Sequence, residues 1–122
     1  MIFRVAKKMQ FSAGHYLTGV PEGHPCRRQH GHNYEVVVVL EAVKLQGDML
    51  LDFQDLSIDL GSFKRKWDHR NLNDFFENPT CEKIALEIFH HFEGLYDQED
   101  MGLRIARVRV SEGPTSWAEV EG

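Results

Sequence analysis

Cysteine is scarce: Cys26 and Cys81 are the only two in 122 residues. That is too few for a disulfide-stapled scaffold and fits a reducing, cytoplasmic compartment. A chain of this length is expected to form one domain over residues 1–122, burying roughly two-thirds of its unfolded surface without staples. Long apolar runs are missing as well. The longest, Val36 to Leu40, is far below the roughly 20 residues that a membrane-spanning helix needs, so no membrane partner is expected. The opening Met1-Ile2-Phe3-Arg4-Val5 has no basic stretch leading to an apolar segment, and no secretory signal is expected. Positive charge is in the minority, with 14 Lys and Arg against 19 Asp and Glu and a net charge of -5. That balance argues against a nucleic-acid surface, which needs cations to displace counterions. Repeats and low-complexity tracts are absent.

What is present begins with alternation. Phe3, Val5, Met9 and Phe11 alternate with Arg4, Lys8 and Gln10, a strand pattern interrupted at Lys7. From Ser12 to Gln29 the pattern breaks down among three Gly and two Pro, which reads as a long connection of the kind that carries function. His30 to Ala42 is a strong strand candidate: His32, Tyr34, Val36, Val38 and Leu40 share one face, and Asn33, Glu35, Val37, Val39 and Glu41 the other. After a turn at Gly47-Asp48, residues Met49 to Phe53 could briefly extend the sheet. Phe53, Leu56, Leu60, Phe63 and Trp67 follow at helical spacing, with Gly61 a weak point. A second helix starts at Asn78-Pro79-Thr80, with Thr80 as N-cap and Glu82 in the first turn, and Gly94 is its expected C-cap. Leu103 to Val110 and Trp117 to Val120 close the chain as strands. The order β-β-α-α-β-β predicts an α+β fold, an antiparallel sheet with two helices on one face. Val37 and Val39 are apolar on the face that the helices leave open, which points to oligomerisation through the sheet.

Seven histidines are present, and four of them lie between His15 and His32. His30 and His32, two apart at a strand start, point the same way, and His15 at the end of the preceding strand can supply a third imidazole. Three neutral imidazoles suit zinc, and three protein ligands with an open position mark a catalytic site. Cys26 is open on spacing alone: it is either a fourth ligand closing a structural site, or a thiol made acidic by nearby positive charge and acting as base or nucleophile. Asp68-His69 pairs a carboxylate with an imidazole suited to proton transfer. Glu112, near the end of a late strand, could receive a guanidine-like ligand edge through two parallel hydrogen bonds.

Taken together, these residues resemble the 6-pyruvoyltetrahydropterin synthase family, and more narrowly its bacterial 6-carboxytetrahydropterin synthase branch of queuosine biosynthesis. The resemblance runs through Phe11-Ser12-Ala13-Gly14-His15, Val20-Pro21-Glu22-Gly23-His24, Cys26 to His32, Asp68-His69 with Asn71 to Asp74, Asn78 to Glu82, and Glu112. Three residues separate Cys26 from His30-Gly31-His32, as in the carboxy branch; the animal pyruvoyl enzymes have a longer gap, and a folate-linked branch carries Glu at the cysteine position. The resemblance implies zinc at His15, His30 and His32, Cys26 as a catalytic base, Asp68 and His69 as a proton relay, and Glu112 as the pterin anchor, with Thr80, Cys81 and Glu82 at the pterin-binding end. It implies the tunnelling fold, whose subunits associate into barrels as two stacked trimers, a homohexamer with sites between subunits. The implied substrate is 7,8-dihydroneopterin triphosphate, converted to 6-carboxy-5,6,7,8-tetrahydropterin with release of acetaldehyde and triphosphate. The sister pyruvoyl synthase, a related pterin side-chain lyase, and a non-catalytic zinc-stabilised assembly protein are the alternatives. Gly14 stands where Ala is more common, Tyr16 where Arg is frequent, Cys81 in place of Ser or Thr, and Gly113 where Thr usually follows the glutamate.

Overall fold

Four strands and two helices are laid down in the order that the alternation and helical spacing predict. In the computed structural model, which describes residues 1–97 and 99–122, β1 is Phe3–His15, β2 His30–Ala42, α1 Phe53–Trp67, α2 Cys81–Tyr96, β3 Arg104–Glu112 and β4 Ser116–Glu121. The strands form one sheet in the order β1-β2-β3-β4, every neighbouring pair antiparallel. Both helices pack on one face, α1 on β1 and α2 across β3 and β4.

The helices form where local chemistry permits. The Asp52 side chain accepts from the Gln54 N–H and starts α1, and Thr80 accepts from the Lys83 N–H and starts α2. Their apolar stripes meet the helix-side residues of the sheet in one core. Phe11 stacks on Tyr34 at 5.0 Å and tilts against Trp67 at 5.7 Å, and Leu56, Leu60, Ile84 and Ile88 belong to the same core. Among the described residues no helix covers the opposite face of the sheet. Its rows are mostly polar, yet Val39 is buried and Val37 half-buried, so the apolar positions there are partly covered within the chain by their cross-strand neighbours.

Four expectations are corrected. First, the long connection does not begin at Ser12, and β1 ends at His15, where the third imidazole is expected. Ser12, Ala13 and Gly14 carry no β-propensity, yet they pair with Asn33, His32 and Gly31, and the strand runs to His15. Second, Met49–Phe53 adds no strand. Gln46 and Met49 close a two-residue turn in which Gly47 and Asp48 both have positive φ, of 58° and 61°, and Phe53, 54% exposed, opens α1 outside the apolar stripe. Third, Gly94 does not cap α2, which continues to Tyr96 with Asp97 as its C-cap. Fourth, β3 runs past Val110 and β4 extends one residue at each end beyond Trp117–Val120; Glu112 is a strand end, as expected, and pairs with Tyr34.

Candidate active site

The registers place the chemistry at one end of the sheet. His15 pairs with His30, Ala13 with His32, and Phe11 with Tyr34 and through it with Glu112. Alternation then puts His15, His30, His32, Tyr34 and Glu112 on the helix face. One ring nitrogen from each histidine lies within 4.8 Å of the other two, a grouping able to hold a metal ion, and Cys26 is not part of it.

Two of the imidazoles are held in a definite tautomer. His15 Nδ1 lies 2.8 Å from the Pro79 carbonyl and His30 Nδ1 2.7 Å from that of Arg28; a carbonyl only accepts, so both Nδ1 atoms carry the hydrogen. The Nε2 lone pairs then face one another 2.9 Å apart. Two lone pairs at that separation repel unless a cation lies between them. The donor chemistry therefore fits a borderline-soft divalent ion such as zinc. Burial pushes His15, 1% exposed, below the usual imidazole value and favours its neutral, ligating form. The Glu112 carboxylate stands 3.8 Å from His15 Nε2 and 3.6 Å from His32 Nε2, adding negative charge beside the three nitrogens. Tyr34 Oη comes within 3.2 Å of His15 Nδ1, and burial, then Glu112, raise its phenol far above the ordinary value, so it stays protonated. Sequence reasoning missed Tyr34. Its place on the His32 face was the available signal.

Asp68 and His69 sit elsewhere. The segment after α1 lies along the free edge of β1: the His69 N–H donates to the Ser12 carbonyl at 2.6 Å, the Gly14 N–H to the Arg70 carbonyl at 3.0 Å, and the Ser12 N–H to Asp68 Oδ1 at 2.9 Å. Asp68 Oδ2 is 3.6 Å from His69 Nε2. The His69 backbone is left-handed, with φ of 58°, and its ring is 83% exposed. Both residues border a cleft of about 730 Å³ on the open face, over the row Gln10, Glu35, Ser111 and Trp117. The carboxylate–imidazole pair and the three-histidine group therefore occupy the same end of the sheet on opposite faces.

The remaining candidates divide. Cys26 lies in a short 3-10 turn, Pro25–Arg27, half-buried, its N–H donating to His24 Nδ1 at 3.0 Å, and among the described residues no hydrogen bond joins it to the histidine group or to His69. The Arg27 guanidinium donates to the Val20 carbonyl at 2.7 Å and is committed to holding that loop. Cys81 is buried against Glu112, and burial first, then that carboxylate, keeps its thiol protonated well above the ordinary range. Thr80 uses its hydroxyl as the α2 cap, and Glu82 is exposed in the first turn.

Similarity to known proteins runs along the whole chain. The sequence profile of the 6-pyruvoyl tetrahydropterin synthase family matches residues 4–122. An Archaeoglobus fulgidus protein provisionally named 6-carboxy-5,6,7,8-tetrahydropterin synthase is 36% identical over 110 residues, 90% of this chain and 88% of that protein. The dihydroneopterin monophosphate aldolase of Pyrococcus furiosus is 39% identical over 92 residues, 75% of this chain and 77% of the aldolase. In three dimensions the Caenorhabditis elegans 6-pyruvoyl tetrahydropterin synthase superposes with a TM-score of 0.82 at 24% identity, covering 100% of this chain and 96% of that one, a likeness of fold.

Proposed function

The chain belongs to the 6-pyruvoyl tetrahydropterin synthase family, and on that premise we propose that it is a zinc-dependent lyase converting 7,8-dihydroneopterin triphosphate and one water to 6-carboxy-5,6,7,8-tetrahydropterin, with release of acetaldehyde and triphosphate, in queuosine biosynthesis. The observation that carries the reading is the pair of Nε2 lone pairs facing each other at 2.9 Å beside a third imidazole. His15, His30 and His32 hold the ion; when bound, zinc supplies Lewis acidity to the side-chain oxygens of the substrate. Cys26 is the base that takes a carbon-bound proton, and His69, fixed by Asp68, returns or relays one. Glu112 holds the pterin ring so that the side chain reaches the ligand group, an orientation effect, with Thr80, Cys81 and Glu82 at that end of the site.

Opposite-face placement supports a site shared between chains. Asp68 and His69 border the cleft on the open face while the three histidines share the helix face, so in this reading the relay serves a neighbour's histidines, in a ring of sheets that pairs into a homohexamer of two stacked trimers. The Pyrococcus relative favours a second reading, aldol cleavage of a pterin monophosphate. The products separate the two. Acetaldehyde from dihydroneopterin triphosphate is expected here; a two-carbon aldehyde retaining its phosphate, formed from the monophosphate, would support the aldolase, and a pyruvoyl product without acetaldehyde the sister synthase.

A further inference from the structure

The open-face cleft beside His69 holds two cations, Arg109 and Lys64, that form no ion pair among the described residues. Arg109 enters it from β3, its guanidinium carbon 5.3 Å above the Trp117 ring, and its Nε is buried with no hydrogen-bond partner. Lys64 overhangs from the last turn of α1 and makes no ion pair among the described residues. Two carboxylates line the same cleft, each with a hydrogen-bond partner of its own. Glu35 accepts from Gln10 Nε2 at 3.3 Å and lies 3.9 Å from Lys8 Nζ, while Asp68 Oδ1 accepts the Ser12 N–H. Glu119 faces Arg109 in register without forming an ion pair with it. Neutral donors complete the lining: Ser12 Oγ donates to Asn33 Oδ1 at 2.7 Å, which leaves the Asn33 amide hydrogens and the Ser111 hydroxyl for a ligand.

The Arg109 guanidinium, an ammonium without an ion-pair partner among the described residues, and uncharged donors around about 730 Å³ of space match a compact anion with several acceptor oxygens. We propose that this cleft binds phosphate-type anions, with Arg109 and Lys64 as its charged contacts and Trp117 holding Arg109 in place. The site stands on these residues alone. Resting on the pterin reading, a further step follows: the anion is the phosphate tail of the substrate, held beside His69, and this places the counter-charge that an acidic chain must gather locally.

Trp117 is 56% exposed and Trp67 fully buried, so fluorescence reports on the cleft. Zinc-loaded protein is titrated with inorganic tripolyphosphate and with orthophosphate, zinc content being assayed before and after. Tripolyphosphate is expected to bind more tightly and to weaken with rising salt, with Kd raised at least about tenfold in Lys64→Gln and in Arg109→Gln and partly restored in Arg109→Lys. Lys64 is exposed on α1, so its variant tests the site without risk to the fold. No binding, or an unchanged Kd in both Gln variants, overturns the site. A second arm measures turnover. A raised KM for dihydroneopterin triphosphate in Lys64→Gln with little change in kcat supports the substrate-tail step; an unchanged KM alongside weakened tripolyphosphate binding overturns that step and leaves a site for free polyphosphate. Absence of turnover in the unaltered protein counts against the pterin reading, whereas the fluorescence result stands apart from it.

Discussion

At the scale of single residues, Cys26 and His69 give the sharpest tests. Cys26 lies outside the three-nitrogen group, so Cys26→Ala should keep its zinc by elemental analysis while turnover falls about 100-fold or more, the size expected for a lost general base. Zinc lost together with the thiol would instead make Cys26 a ligand and revive the assembly-protein reading. His69 has a left-handed backbone, φ 58°, which a β-branched residue tolerates poorly. His69→Val should therefore lower stability by about 1–2 kcal/mol in urea titrations, and His69→Gly should not, although both remove the proposed relay. The histidine grouping was legible because a two-residue spacing on a strand aims both rings to one side, and a third histidine lay at the preceding strand's end. The carbonyls that orient the rings, and the orphaned Arg109 nitrogen, were not. Carbonyl placement depends on backbone path, and Arg109 reads as an ordinary outward strand residue until register sets it beside Trp117.

At the scale of elements, the open face is tied together by charge at the end away from the cleft. Glu41 on β2 accepts from Arg104 Nε on β3 at 2.7 Å and from Arg4 Nε on β1 at 3.0 Å, one row across three strands. The Arg104 hydrogen bond first, then that of Arg4, outweigh burial and hold the Glu41 carboxyl below its ordinary value of 4.5. A depressed carboxylate stabilises the fold above its unfolded value and stops doing so as pH falls through the folded one. Glu41→Gln should thus cost about 1 kcal/mol at pH 7, with the gap to the unaltered protein closing as pH drops below 4.5, read from Tm over that range. Strand and helix existence was legible from periodicity; the ends were misjudged where small residues carry backbone pairing without a side-chain signal. Ser12-Ala13-Gly14 shows this, since those three residues decide that His15 is a strand residue, with its side chain on the core face.

At the scale of the whole molecule, one sheet separates two chemistries that the proposed reaction needs together. The chain should sediment as a multiple of three, and a clean monomer would contradict the shared site. Two inactive variants, His32→Ala and His69→Gly, co-refolded, should regain part of the activity, because some mixed sites then draw intact histidines from one chain and an intact relay from another. No recovery, with mixed oligomers demonstrated, would place the whole site in one chain. In the sequence the proposed assembly rests on Val37 and Val39 alone, since partner contacts leave no periodicity of their own. The rings of His15 and His30 are aimed by main-chain oxygens of Pro79 and Arg28, atoms that no amino-acid exchange can delete. Mutational scanning is blind to such supports, and sequence drift cannot erode them singly. Pro79 immediately precedes the Thr80 cap of α2, so the aim of His15 is inherited from how that helix is seated. Loosening α2 from afar should show first as weaker metal retention, well before the protein unfolds.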